Sequence, residues 1–261
     1  MMMNNHFFHL VKYSPWPILM ASSLINMTTS LTKLIMNSSL FFFFFFFFTT
    51  VLIMFQWWRD IIRESLYEGY RSLKINYAIS TGMVSFIVSE IWLFVSFFWT
   101  YLYYSLSPDM SMGSVWPPYK IIEMSFLDIP LLNTLILLMS GFLVTWSHCE
   151  LTMTKFSNTI TSLSMSILLG MYFLVVQTYE YINSNFCFND SVFGNSFFIL
   201  TGFHGLHVLV GLIFLTLSMI QLSMKRFSPM SLYMFEYSIW YWHFVDIIWL
   251  CLYLSVYWWS M

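Results

Sequence analysis

The chain has 261 residues, of which 59% are hydrophobic, 22% aromatic and only 8% charged, with a formal net charge of −2. A soluble domain carries roughly 25% charged residues, so the composition excludes an ordinary soluble protein and indicates one that crosses a membrane several times. Cys149, Cys187 and Cys251 are widely spaced with no CxxC pair, which supports neither a disulfide framework nor a cysteine metal site.

In chain order, the N-terminal stretch Met1–Lys12 lacks the basic start, apolar core and small-residue cleavage site of a secretory signal, and the Arg-rich amphipathic character of a transit peptide. It is expected to stay on the chain, as in a protein made in the compartment where it is inserted. Apolar runs near or beyond the ~20 residues that span a hydrocarbon core occur at about 16–36, 40–58, 75–104, 129–147, 157–182, 191–222 and 233–258. They far exceed strand length, and lipid excludes open sheets. The prediction is an all-α polytopic membrane protein with seven transmembrane helices. Its divisions are an N-terminal segment 1–15, two helices in 16–58, a polar connection 59–74, five helices in 75–258 and a tail 259–261.

Charge placement orients the predicted helices. One side gathers Lys12, Arg59, Arg63, Arg71, Lys74, Lys155, Lys225 and Arg226, and the other receives only Lys33 and Lys120. Cationic loops stay inside, so the N-terminus is expected inside and the C-terminus outside. No inverted internal repeat of the transporter type is visible, and the run Phe41–Phe48 reads as lipid-facing apolar bulk.

Several groups stand out as candidates. Glu90 stands in the run Ile75–Tyr104, which holds no other acid, Lys, Arg or His, and a charge at the bilayer centre costs several kcal/mol. It is therefore a neutral or paired carboxyl, with either a proton-related or a purely structural role. Gln56-Trp57-Trp58-Arg59-Asp60-Ile61-Ile62-Arg63-Glu64-Ser65 lies at the inner boundary, where indoles prefer the headgroup layer and guanidinium groups pair with phosphate. That segment is either a specific phospholipid site, using Trp58, Arg63 and Arg226, or a generic aromatic-basic belt.

His204 and His207 sit three apart on one helix face. A haem or copper pair is one reading, needing an opposed ligand such as His243. A buried polar network of His204, His207, Glu236, His243 and Asp246 is the more economical one, because lipid leaves such groups no other partners. Glu236 is placed in the first turn of its helix. His148 and Glu150 border the inside end of the fourth helix, either as a site for a cation or a proton or, more economically, as a solvated terminus, and Trp116-Pro117-Pro118 reads as a rigid turn in the connection Ser105–Asp128. The chain contains no Gly-rich phosphate loop, HExxH or Gly-x-Ser-x-Gly, so any catalysis is expected to reside in partner subunits.

In order, the motifs Ser14-Pro15-Trp16-Pro17, Gln56–Glu64, Ser89-Glu90 with Phe97-Phe98-Trp99, and Trp116-Pro117-Pro118 closely resemble mitochondrial cytochrome c oxidase subunit III. Pro130-Leu131-Leu132-Asn133-Thr134, Thr201-Gly202-Phe203-His204-Gly205-Leu206-His207-Val208 and Trp240-Tyr241-Trp242-His243-Phe244-Val245-Asp246 continue the resemblance over essentially the whole chain. The position after His148 is Cys149, where many relatives carry a second His.

The resemblance implies a two-helix arm plus a five-helix bundle, with a V-shaped, lipid-filled cleft. It implies phospholipid binding near Trp57, Trp58, Arg63, Glu64 and Arg226, and a buried carboxyl at Glu90 facing the bundle. Beyond the resemblance, this carboxyl is expected to stay neutral and to shape the cleft. No haem or copper is expected in this chain, with haem a and copper held by partner subunits. The expected partners are the catalytic haem-copper subunit I, subunit II, small accessory subunits and structural phospholipids, with no nucleic acid. The expected location is the mitochondrial inner membrane, N-terminus in the matrix and C-terminus in the intermembrane space. The implied function is that of a core non-redox subunit which stabilises the catalytic one and supports proton uptake and oxygen access. A channel, needing a continuous polar path, and a b-type cytochrome, needing opposed histidines, are the competing classes.

Overall fold

A computed structural model describes residues 13–37, 40–67, 73–110, 113–119, 121, 124–224 and 232–260. Lys12, Arg71, Lys120, Lys225 and Arg226 lie outside the described residues, so the lipid role expected of Arg226 has no structural counterpart here. Among the described residues all regular structure is helical: α1 Trp16–Asn37, α2 Leu40–Tyr67, α3 Leu73–Leu106, α4 Ile129–Thr152, α5 Phe156–Ile182, α6 Val192–Ser223 and α7 Leu232–Leu252, followed by a π-helical turn, Tyr253–Trp258. Each of the seven contains a stretch long and apolar enough to cross a membrane.

Helix ends differ from the hydropathy limits. Residues 59–67, read from composition as the start of a connection, continue α2, since Arg, Glu and Leu are good helix formers and the headgroup layer does not stop a helix. At 1.5 Å per residue, the 28 residues of α2 extend about 42 Å and the 34 of α3 about 51 Å, well beyond a hydrocarbon core of about 30 Å. Local chemistry sets other ends. Ser191 caps α6, its hydroxyl accepting from Gly194 N at 3.2 Å, and Pro130 occupies the first turn of α4, where no N–H is needed. Hydroxyls inside the spans bond back to their own helix, as Ser30 Oγ does to Met27 O at 2.7 Å and Ser147 Oγ to Val144 O at 2.6 Å.

The chain divides into two compact units, Met1–Ile79 and Ser80–Met261. In the first, α1 packs along α2. Phe41, Phe42, Phe44, Phe45, Phe47 and Phe48 are exposed around α2, an apolar sleeve suited to acyl chains. Trp16 at the start of α1 donates its indole N–H to Asp60 Oδ2 at 2.8 Å, near the far end of α2. Replacing Asp60 with Asn keeps an acceptor and is expected to be near neutral. Asp60→Leu removes it, and faster protease cleavage ahead of α1 is the expected readout.

In the second unit, α4 packs on α5, α5 on α6, α6 on α7 and α7 on α4, closing a four-helix ring. The Ser80–Leu106 part of α3 contacts its α6–α7 side: Ser80 and Tyr237 hydroxyls are 2.6 Å apart, Phe86 stacks on Tyr241, and Phe94 lies against His207 and Phe244. Trp242, fully buried on α7, fills the centre of the ring. Its indole donates to Ser140 Oγ on α4 at 3.0 Å, and its ring occupies the space that side chains at Gly170 on α5 and Gly211 on α6 would need.

Candidate functional site: a carboxyl–imidazole couple at mid-helix

Glu90 lies 17 residues after the start of α3 and 16 before its end; His207 lies 15 after the start of α6 and 16 before its end. Both therefore sit near the middle of long apolar helices. Their side chains meet, with His207 Nε2 and Glu90 Oε2 2.9 Å apart, at side-chain exposures of 11% and 21%. Phe94, Tyr241 and Phe244 surround the imidazole.

The second ring nitrogen fixes the protonation pattern. His207 Nδ1 is 2.7 Å from Phe203 O, and a carbonyl can only accept, so Nδ1 carries a proton. The contact between Nε2 and Oε2 then needs one further proton. Either Glu90 is neutral and donates to Nε2, or a carboxylate accepts from an imidazolium. Both arrangements have zero net charge, the condition under which such a pair is tolerated in hydrocarbon.

The other predicted network residues separate into distinct contacts. His204, 1% exposed, approaches Val245 O through Nε2 at 3.3 Å, while its Nδ1 has no partner among the described residues. His243 Nδ1 and Asp246 Oδ2 are 3.7 Å apart, an i,i+3 pair on α7 beside Gly141. The absence of a Cβ at Gly141 makes room for the Asp246 carboxyl. Glu236 is the fifth residue of α7 rather than a first-turn residue, because the helix begins at Leu232, and it joins none of these contacts. The imidazoles of His204 and His207 thus address Val245, Phe203 and Glu90. Among the described residues no group of three or more His, Cys, Asp or Glu is arranged to hold a metal.

On α2, Arg59 and Arg63 are exposed and four residues apart, so both guanidinium groups leave the same helix face. Arg59 pairs with Asp60 at 3.1 Å. Trp58 is exposed and Trp57 and Glu64 are half-buried. Indole and guanidinium groups are thus exposed together on the polar end of α2.

Sequence reasoning missed one buried acid. Glu180, 1% exposed near the end of α5, accepts from the Tyr257 hydroxyl at 2.7 Å, and Asn133 Nδ2 on α4 donates to Gln177 Oε1 at 3.2 Å. The signal was the spacing of Gln177 and Glu180, three apart on one face of an otherwise apolar helix.

Comparison with known proteins adds a further finding. A profile described as cytochrome c oxidase subunit III matches residues 6–261. The chain is 45% identical over 256 residues to cytochrome c oxidase subunit 3 of Aedes aegypti, covering 98% of each chain. It is 44% identical over 253 residues to that of Heterololigo bleekeri, covering 97% of this chain and 98% of the relative. It is 43% identical over 257 residues to that of Drosophila melanogaster, at 98% of each.

Proposed function

The chain belongs to the cytochrome c oxidase subunit III family, and from that membership we propose a core, non-redox role within the oxidase: it stabilises the catalytic haem-copper subunit, binds phospholipids, and supports proton uptake and oxygen access. As a member it is a multi-pass subunit of a respiratory-chain oxidoreductase complex. In the proposed arrangement the N-terminus is in the matrix and the C-terminus in the intermembrane space, which places Arg59, Arg63 and Lys155 on the matrix side. Helices α1 and α2 form the lipid-binding arm, and haem a and copper reside in partner subunits.

The observation that carries this reading is the Glu90–His207 couple, whose single shared proton makes it neutral. Being neutral, it bridges α3 to α6 without needing an ionic path to water. Its aromatic surroundings favour a fixed contact over a proton wire, which requires successive polar groups within hydrogen-bond reach. Glu90 therefore acts by positioning α3, and its influence on proton uptake is exerted through the shape of the lipid-contacting surface.

The assignment is tested by capturing the chain with an antibody from native membranes in mild detergent and recording a reduced-minus-oxidised spectrum of the captured material. Haem a absorption accompanied by a larger, haem-bearing partner is expected; a colourless chain recovered alone would contradict the reading. The lipid role has a separate test. Arg63→Ala combined with Trp58→Ala is expected to lower the phospholipid that co-purifies with the complex, measured as lipid phosphorus per haem, while the subunits stay together.

A further inference from the structure

Glu180, Gln177, Asn133 and Tyr257 draw together the end of α5, the start of α4 and the π-helical turn that follows α7. Asn133 is fully buried and Gln177 and Glu180 are nearly so. Asn133 and Gln177 are joined at 3.2 Å, and Glu180 and Tyr257 at 2.7 Å. These bonds satisfy only half of each polar group. Asn133 Oδ1 and Glu180 Oε2 are buried with no hydrogen-bond partner among the described residues, and Gln177 Nε2, also buried, makes no hydrogen bond of full geometry although the Tyr181 and Tyr257 hydroxyls lie beside its amide.

The mismatch has a definite chemistry. Two of the three atoms are acceptors, or one acceptor and one carboxyl oxygen of variable protonation, and the third is an amide donor. Reversing both amides keeps their mutual bond and leaves the same kinds of atom unpaired. An unsatisfied polar atom in an apolar interior costs about 1–3 kcal/mol, so three at one node of three helix ends call for a common partner. A water molecule accepts one hydrogen bond and donates two, and buried waters make about three such bonds to groups of this kind.

The backbone supplies an independent pointer. Tyr253–Trp258 adopts a π-helical turn, a rare conformation that concentrates at functional sites, and this turn places Tyr257 against Glu180. Tyr257 also lines a small cavity with Met124, Phe186, Phe193, Phe197 and Ser260. The Tyr257 hydroxyl thus bonds Glu180 while its side chain lines a space that Ser260 also lines.

We propose that Asn133, Gln177 and Glu180 hold one internal water molecule, and that Tyr257 links this hydrated carboxyl to the cavity at the end of the bundle. The water accepts from Gln177 Nε2 and donates to Asn133 Oδ1 and Glu180 Oε2. The site is separate from the Glu90–His207 couple and independent of the role proposed for it. It fastens α4, α5 and the end of α7 through a polar node, and it lets Glu180 exchange its proton without unfolding of the bundle.

The test uses the intact oxidase. A high-resolution density map of the wild-type complex is expected to contain one peak within about 2.7–3.2 Å of all three atoms. The peak is expected to be lost in Gln177→Leu and kept in Tyr257→Phe. Infrared spectra supply the second measurement. The carboxyl band removed by Glu180→Gln is expected to shift on transfer to deuterated water in the wild-type complex, and to shift more slowly in Tyr257→Phe. Direct pairing of the three atoms without a peak, a peak with the short, many-oxygen coordination of a metal ion, or a Glu180 band indifferent to deuterium would each overturn the proposal.

Discussion

Truncation of Trp242 to alanine is expected to destabilise the Ser80–Met261 unit by about 3–5 kcal/mol, the usual range for removing a buried indole. The figure belongs at the upper end of that range because the site cannot collapse. The ring lies against Gly170 on α5 and Gly211 on α6 and donates to Ser140 on α4, so the void opens where four helices converge. Ser140 itself survives the change, since its hydroxyl also donates to Leu137 O at 2.6 Å. The complementary changes act in the opposite sense. A Cβ at Gly211 would stand 2.8 Å from Trp242 Cε3, and one at Gly170 2.7 Å from Cη2, so each glycine-to-alanine change overpacks the core at about 1–3 kcal/mol. Because these residues share one space, Gly211→Ala with Trp242→Phe should cost less than the sum of the two. Thermal dissociation of this chain from the purified complex measures each of these variants, with Trp242→Phe alone completing the comparison.

His207→Leu is expected to be destabilising too, for an electrostatic reason. It removes the only side-chain partner that the described residues provide for Glu90 and strands a carboxyl at mid-helix. A stranded polar group costs about 1–3 kcal/mol even when neutral, and an unpaired charge costs more. The pair Glu90→Leu with His207→Leu is expected to recover much of that loss, because replacing both partners with apolar groups leaves nothing unsatisfied. If the double variant were less stable than His207→Leu alone, Glu90 would have a second partner that the couple does not explain. The readout is again retention of the chain in the complex, with recovery in the double variant marking the pairwise interaction.

Which of these features the sequence disclosed follows from the range of the interactions. The seven spans are legible because hydrocarbon thickness imposes a length on every apolar run. Their ends are less so: residues 59–67 are polar yet helical, since hydropathy marks the edge of the lipid and not the end of the helix. Glu90 is conspicuous because its run holds no other acid, Lys, Arg or His, whereas its pairing with His207 depends on how α3 meets α6, a tertiary fact with no local signature. The grouping of His207 with Glu236, His243 and Asp246 fails to anticipate this for the same reason. Asp246 and His243 lie within one turn and are near each other in space, as spacing alone requires. Glu180 escapes notice because it stands two residues from the end of α5 among Tyr and Gln side chains, a composition shared with ordinary interfacial residues; its partner Tyr257 arrives from the distant π-helical turn and meets it only in the folded bundle.

The central claim is that Glu90 serves as half of a neutral couple that positions α3 rather than as an obligatory carrier of protons. Glu90→Gln isolates the distinction, because a glutamine amide still donates to His207 Nε2 while offering no ionisable proton. The decisive measurement is oxygen consumption and proton translocation by the purified complex carrying Glu90→Gln, with retention of this chain verified in the same preparation. Turnover sustained near the wild-type rate is the expected result; abolished turnover in an otherwise intact complex would contradict the account.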